Sequence, residues 1–180
     1  MMMPRLSTLP LVLLGLLASY GVDAATSQAD INAYLAAHNT VRAQHGAANL
    51  AWDESLASAA QTWVNKCKFQ HSGGSLGPYG ENLAAGTGGS YGIAAAVKSW
   101  TDEVSQYNAQ SPVPSHFTQV VWKGSQKVGC AVQECSGIFP PQYGNAKFYA
   151  CEYFPAGNVI GQFPGNMHMA ASSNRANVQA

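Results

Sequence analysis

Three of the chain's four cysteines lie between positions 130 and 151, in two stretches that read as β-strands, and this restricts the fold more than any other feature. KVGCAVQEC (127–135) and AKFYACEYF (146–154) are rich in Val, Phe and Tyr, and the intervening SGIFPPQYGN carries Pro and Gly turn signals. Four cysteines allow three connectivities. An antiparallel hairpin centred on Pro140–Pro141 sets Cys130 opposite Cys151. Cys130 and Cys135, five residues apart, then face opposite sides of one strand, which argues against a bond between them and leaves Cys67 for Cys135. Each bridge contributes ~2–4 kcal/mol. Pairing of this kind belongs to an oxidising compartment.

The N-terminus points to the same destination. Arg5 precedes the apolar run LPLVLLGLLASYG, which ends at VDA, a small-x-small cleavage site, so residues 1–24 read as a secretory signal and the mature chain begins near Ala25. That run is too short to span a bilayer, and no C-terminal hydrophobic tail follows, so a soluble extracellular product without a membrane span is expected. No Asn-x-Ser/Thr sequon is present, and N-glycosylation is not expected. Nine Lys plus Arg balance nine Asp plus Glu, which leaves no basic field for a nucleic-acid backbone.

Three helical patterns precede the hairpin. TSQADINAYLAAHNTVRAQHG has Ser27 and Asp30 as start signals, Ile31, Tyr34, Leu35, His38 and Val41 at helical spacing, and Gly46 as a stop. In WDESLASAAQTWVNKC, Leu56, Ala60, Trp63 and Cys67 share a face. The third pattern, YGIAAAVKSWTDEVSQY, aligns Ile93, Val97, Trp100, Val104 and Tyr107, and sets the Glu103 carboxylate beside that apolar stripe, where burial would demand a partner. Between the second and third patterns lies HSGGSLGPYGENLAAGTGGSYG, Gly-rich and irregular, the kind of loop on which sites are built. Residues 165–180 lack periodicity and read as a flexible tail.

HNTVR (38–42), GENLA (80–84), HFTQVVW (116–122) and FYACEYFPAGNVIG (148–161), in this order, resemble the four signatures of the CAP superfamily of cysteine-rich secretory proteins, antigen 5 and pathogenesis-related 1 proteins. The two-disulfide pattern is more similar to fungal members than to plant ones. The resemblance implies an α+β fold, a three-layer α-β-α sandwich with a small antiparallel sheet and two disulfides, over residues 25–164. It also implies a cleft holding two histidines and two glutamates, matched here by His71, Glu81, Glu103 and His116. Three features depart from the family pattern. Ser115 stands where Gly or a charged residue is usual, and Glu152 where a neutral polar or basic residue is commoner. The loop before HFTQ, NAQSPVPS, lacks the cysteine that staples it in many plant members.

Neutral imidazoles and carboxylates are ligands for Zn²⁺ or another divalent metal, so His71, Glu81, Glu103 and His116 form a candidate metal set. Their spacing alone would not assemble it; the resemblance does. Many members of the family bind sterols or fatty acids, and the fungal ones export them. The implicated loop corresponds to Tyr107–Phe117, with Tyr107, Val113 and Phe117 as ligand contacts. This loop bears no charge before His116 and suits an apolar ring system, so the lipid and the polar tetrad are expected to use different surfaces. No GxSxG elbow and no HExxH appears, and the chain reads as a lipid carrier rather than an enzyme, with a metal-dependent hydrolase as the alternative. A monomer is expected, in a setting of lipid export, defence or virulence. His38, Arg42 and Asn82 read as structural, Trp52, Trp63 and Trp100 as core, and Gly80 as a backbone turn.

Overall fold

The computed structural model describes residues 26–168; the expected signal sequence (1–24) and positions 169–180 of the expected tail lie outside the described residues. Helix α1 (Gln28–Gln44) starts where Ser27 Oγ accepts the Asp30 N–H and ends before Gly46, whose φ of +61° suits glycine. It buries Ile31, Tyr34, His38 and Arg42. Asp53 accepts the Ser55 and Leu56 N–H groups and caps α2 (Glu54–Val64).

The sheet orders its strands β1-β3-β4-β2, from β1 (Ala51–Trp52), β2 (Gly80–Gly86), β3 (Lys127–Cys135) and β4 (Ala146–Phe154). The β3–β4 hairpin has the expected register, Cys130 opposite Cys151. Both expected disulfides form, Cys67–Cys135 and Cys130–Cys151. β2 pairs antiparallel with β4. The one departure from an all-antiparallel sheet is the two-residue β1, which lies parallel to β3.

Each sheet face has its own core. Tyr34 of α1 joins Val97 and Trp100 of α3 (Ile93–Thr101) and Phe117 and Val120 of α4 (His116–Val120) against Cys130, Cys151 and Tyr153. On the opposite face α2 packs Ala60, Trp63 and Val64 on Leu83, Phe148 and Ala150. These are the layers of an α-β-α sandwich. Gly129 allows the closest approach, since a Cβ there would lie 2.1 Å from Ala57 N and 2.6 Å from Asp53 O.

Two elements differ from the sequence reading. The third helix stops at Thr101 instead of running to Tyr107, and tightens into a 3₁₀ turn over Asp102–Gln106. The Gly-rich loop contains a true strand, β2, whose conformation comes from its ladder with β4. Gly165–His168, placed in the tail by sequence, is held to the body: α5 (Phe163–Asn166) ends at Asn166, whose Oδ1 accepts the Gly124 N–H at 2.9 Å, and His168 O meets His45 Nδ1 at 2.9 Å. No helix of the described residues is long and apolar enough to cross a membrane.

Candidate functional site: a two-walled cleft at the outer edge of the sheet

His71, Glu81, Glu103 and His116 converge on one cleft of about 440 Å³ at the outer edge of β2. They are organised as two carboxylate–histidine pairs. In the first, His71 Nδ1 lies 2.6 Å from Glu81 Oε1, and Glu81 also accepts the Ser72 N–H at 2.9 Å. In the second, His116 Nδ1 lies 2.6 Å from Glu103 Oε1, while Glu103 Oε2 accepts the N–H groups of His116 (2.8 Å) and Phe117 (3.3 Å). These N–H groups open α4 and have no partner within the helix, so the 3₁₀ turn that carries Glu103 supplies the missing acceptor. Ser115 and Thr118 complete the start of α4 with a capping box. The His71 and His116 rings stack with centroids 6.5 Å apart, and Trp100 stacks on His116 at 6.4 Å.

The rest of HFTQVVW holds this arrangement in place. Gln119, 1% exposed, accepts the Gly157 N–H at 2.9 Å and donates to Ser125 Oγ at 3.1 Å. Its side chain fills the space beside Gly80, where a Cβ would sit 2.1 Å from Gln119 Oε1. Gly80 therefore serves a close approach and not the turn read from sequence. Asn158 bridges to α4 by accepting from Thr118 Oγ1 and donating to Ser115 O.

A buried polar line runs behind the cleft. Asn82 Nδ2 donates to His116 O and Tyr153 Oη; Tyr153 Oη meets His38 Nε2 at 2.8 Å, and His38 Nδ1 meets Tyr34 O at 2.8 Å. Burial pushes the His38 imidazole down to about 4, so at neutral pH it is uncharged, with Nδ1–H donating and Nε2 accepting. Arg42, fully buried, donates to the carbonyls of Ala48, Val120, Trp122 and Ser125 and fixes the exit of α4. His38 and Arg42 hold buried backbone and side-chain groups, as their sequence context suggests, while Asn82, also expected to be structural, lines the cleft as well.

The opposite wall is the unstapled loop: Gln106, Tyr107, Val113 and Pro114 line the same cleft as the histidine pairs. The loop and the tetrad, expected on different surfaces, thus line one cleft. Val113 is 61% exposed, a free aliphatic rim. Phe117, expected among the ligand contacts, does not line the cleft: it is fully buried and packs edge-on against His45 and Tyr107, because the α4 start turns it into the core.

The four-ligand metal set also needs correction. Among the described residues no group of three or more His, Cys, Asp or Glu is placed to share a metal ion. Both carboxylates are engaged by Nδ1 and backbone N–H groups, so Glu81 and Glu103 orient the imidazoles instead of ligating beside them. Each imidazole keeps Nε2 as its remaining ring nitrogen. The sequence reading did not place Asn158 or Gln106 in the cleft, nor Glu152 behind it. Burial, then the neighbouring Glu81, push the Glu152 carboxyl up to about 9. Only the β2–β4 register, which sets Glu81 opposite Glu152, could have revealed that pairing.

A disulfide-stapled α-β-α sandwich with paired carboxylate–histidine arms at its sheet edge defines a recognisable class. The chain belongs to the cysteine-rich secretory protein (CAP) family, whose sequence profile matches residues 35–153. It is 41% identical over 172 residues to pathogenesis-related protein 1B of Nicotiana tabacum, covering 90% of this chain and 95% of that protein. It is 42% identical over 151 residues to secreted protein PRY1 of Candida albicans, covering 82% of this chain and 33% of that longer protein. In three dimensions it superposes on the structure of NaASP2 with Zn²⁺ with a TM-score of 0.64 at 23% identity, covering 83% of this chain and 90% of that one, which establishes the shared fold.

Proposed function

We propose that this is a secreted lipid-binding protein that takes up an amphipathic lipid, a neutral hydroxyl-bearing sterol in the first instance and fatty acids as a second class, to export or sequester it. The observation that carries the reading is the two-walled cleft. Tyr107, Val113 and Pro114 offer an apolar wall to a ring system, while the polar groups of His71, His116 and Asn158 face the same space. Its volume of about 440 Å³ lies within the ~300–1,000 Å³ typical of small-molecule sites. An amphipathic ligand satisfies both walls at once, with its hydroxyl on an imidazole and its rings against the loop. Secretion is supported by the N-terminal Arg5-plus-apolar pattern, by the two disulfides and by the relationship to a secreted fungal protein. The test is equilibrium binding of labelled cholesterol to the purified mature protein, with ergosterol and palmitate as competitors. Saturable binding supports the reading, and its absence overturns it.

A second property rests on the same arms. With Nδ1 of His71 and His116 held by carboxylates, the two Nε2 atoms are oriented donors of the kind that hold Zn²⁺, and a bound ion would supply a positive charge and a Lewis acid in the cleft. Two imidazoles make a weak site that solvent or ligand must complete. Calorimetry with Zn²⁺ on the unmodified protein and on His71→Ala tests it. Two of the hydroxyls near the tetrad in sequence, those of Ser115 and Thr118, are spent on the α4 cap and on Asn158, which does not favour the hydrolase alternative.

A further inference from the structure

Glu152 is the residue that most departs from its surroundings. It is 1% exposed, lies in the centre of the sheet and follows Cys151, where a charge has no obvious purpose. In the β2–β4 ladder it stands directly opposite Glu81, and in the β3–β4 ladder opposite Gly129. Side chains directly opposite one another project from the same face of the sheet. Glu152 is thus enclosed between Glu81 on one side and Gly129, with the first turn of α2 closed down upon it, on the other. Its Oε1 is buried with no donor directed at it, and its side chain stands beside that of Glu81 on the same face of the sheet.

Two ionised carboxylates cannot share such a contact, because neither brings a proton and neither is solvated. Glu81 is already committed as an acceptor, from His71 Nδ1 and the Ser72 N–H, whereas Glu152 Oε1 has no donor. The proton therefore belongs to Glu152.

We infer that Glu152 is a positioning residue of the cleft: as a neutral acid it donates a hydrogen bond to Glu81 and so fixes the carboxylate that orients His71. Glu152 does not itself line the cleft, so it acts only through Glu81. The rise of its carboxyl to about 9 agrees with a proton held throughout the neutral range. The His116 arm has a different support, the N–H groups at the start of α4. The hydrogen-bond supports of the two arms are therefore separate, and a change at Glu152 acts on the tautomer of His71 and not on that of His116. This inference concerns the geometry of the proposed lipid cleft, and its consequence for ligand binding rests on that reading.

The test uses the mature full chain in metal-free buffer at neutral pH with three variants. Glu152→Gln keeps a neutral donor; Glu152→Leu and Glu152→Ala remove it, and either one that retains the near-ultraviolet circular dichroism of the parent suffices. Long-range ¹H–¹⁵N spectra report the ring tautomer of each histidine without any ligand. The parent and Glu152→Gln should show His71 in a single Nδ1–H form. The donor-free variants should show His71 with averaged ring-nitrogen shifts and His116 unchanged, and should bind labelled cholesterol at least fivefold more weakly. His71 signals unaltered in a folded donor-free variant would overturn the inference, as would Glu152→Gln behaving like Glu152→Leu. If the parent binds no sterol while the tautomer pattern is as expected, the positioning role stands and the lipid reading falls.

Discussion

Gly80→Ala adds one methyl group and should nevertheless cost about 4 kcal/mol. The new Cβ would lie 2.1 Å from Gln119 Oε1 and 2.8 Å from its Cδ, with Gly157 N 3.2 Å away. Gln119 has nowhere to go, since a Cβ on Gly157 would itself sit 2.6 Å from Gln119 Nε2. If the amide moves, the Gly157 N–H loses its acceptor and Ser125 Oγ its donor. An orphaned buried donor costs ~1–3 kcal/mol. Overpacking a filled interior adds ~1–3 kcal/mol. The sum is a large share of the ~5–15 kcal/mol that holds a domain folded. Urea unfolding should show the midpoint lowered by roughly 2 M, taking a slope of about 2 kcal/mol per M. Gly89→Ala, where nothing lies within 4 Å, is the control and should stay within ~0.5 kcal/mol of the parent. In a Gln119→Ala background the space is vacant, so Gly80→Ala should then cost under ~0.5 kcal/mol, a coupling of about 3.5 kcal/mol. A cost below ~1 kcal/mol in the parent, or equal costs in both backgrounds, would refute the claim that Gly80 exists to admit Gln119.

Arg42→Met should leave the carbonyls of Ala48, Val120, Trp122 and Ser125 without the guanidinium, at ~1–3 kcal/mol each before relaxation, and a loss under ~1 kcal/mol by urea unfolding would contradict this. His38, held neutral with its folded value near 4, makes the protein less stable as pH falls, because the unfolded chain takes up a proton near 6.5 and the folded one does not. The loss between pH 7 and pH 4 should be about 3 kcal/mol, read from urea midpoints, and a flat profile would count against it. Glu152 acts in the other direction: its folded value is raised, so its contribution is full below the unfolded carboxyl range and declines as pH rises toward about 9. Glu152→Gln should remove that decline, and an unchanged slope between pH 5 and pH 8 would contradict the assignment.

Much of the scaffold was legible because it depends on local chemistry. The cap at Ser27, the stop at Gly46 and the Cys130–Cys151 register each follow from a few neighbouring residues. What escaped depends on partners distant in sequence. GENLAAG has a composition that argues against a strand, and becomes one because β4 supplies the ladder. Val104 and Tyr107 continue a helical stripe, yet the chain tightens into a 3₁₀ turn there and brings Glu103 to the first N–H groups of α4. The resemblance counts Phe117 among the ligand contacts of the loop, whereas it is the first core residue of α4. The tetrad residues could be chosen only by resemblance. Their division into two carboxylate–histidine pairs, and the loop's place on the same cleft, required the structure.

The central claim is that one cleft, with an apolar and a polar wall, holds the lipid. The direct measurement is labelled-cholesterol binding to Val113→Asp and to His116→Ala, each checked for fold by circular dichroism. Val113→Asp would set an unpaired charge on the apolar wall, and His116→Ala removes one of the polar groups that line the cleft. Both folded variants should bind at least fivefold more weakly than the parent. Undiminished binding by His116→Ala alongside loss in Val113→Asp would contradict the shared cleft, and undiminished binding by both would place the lipid elsewhere on the protein.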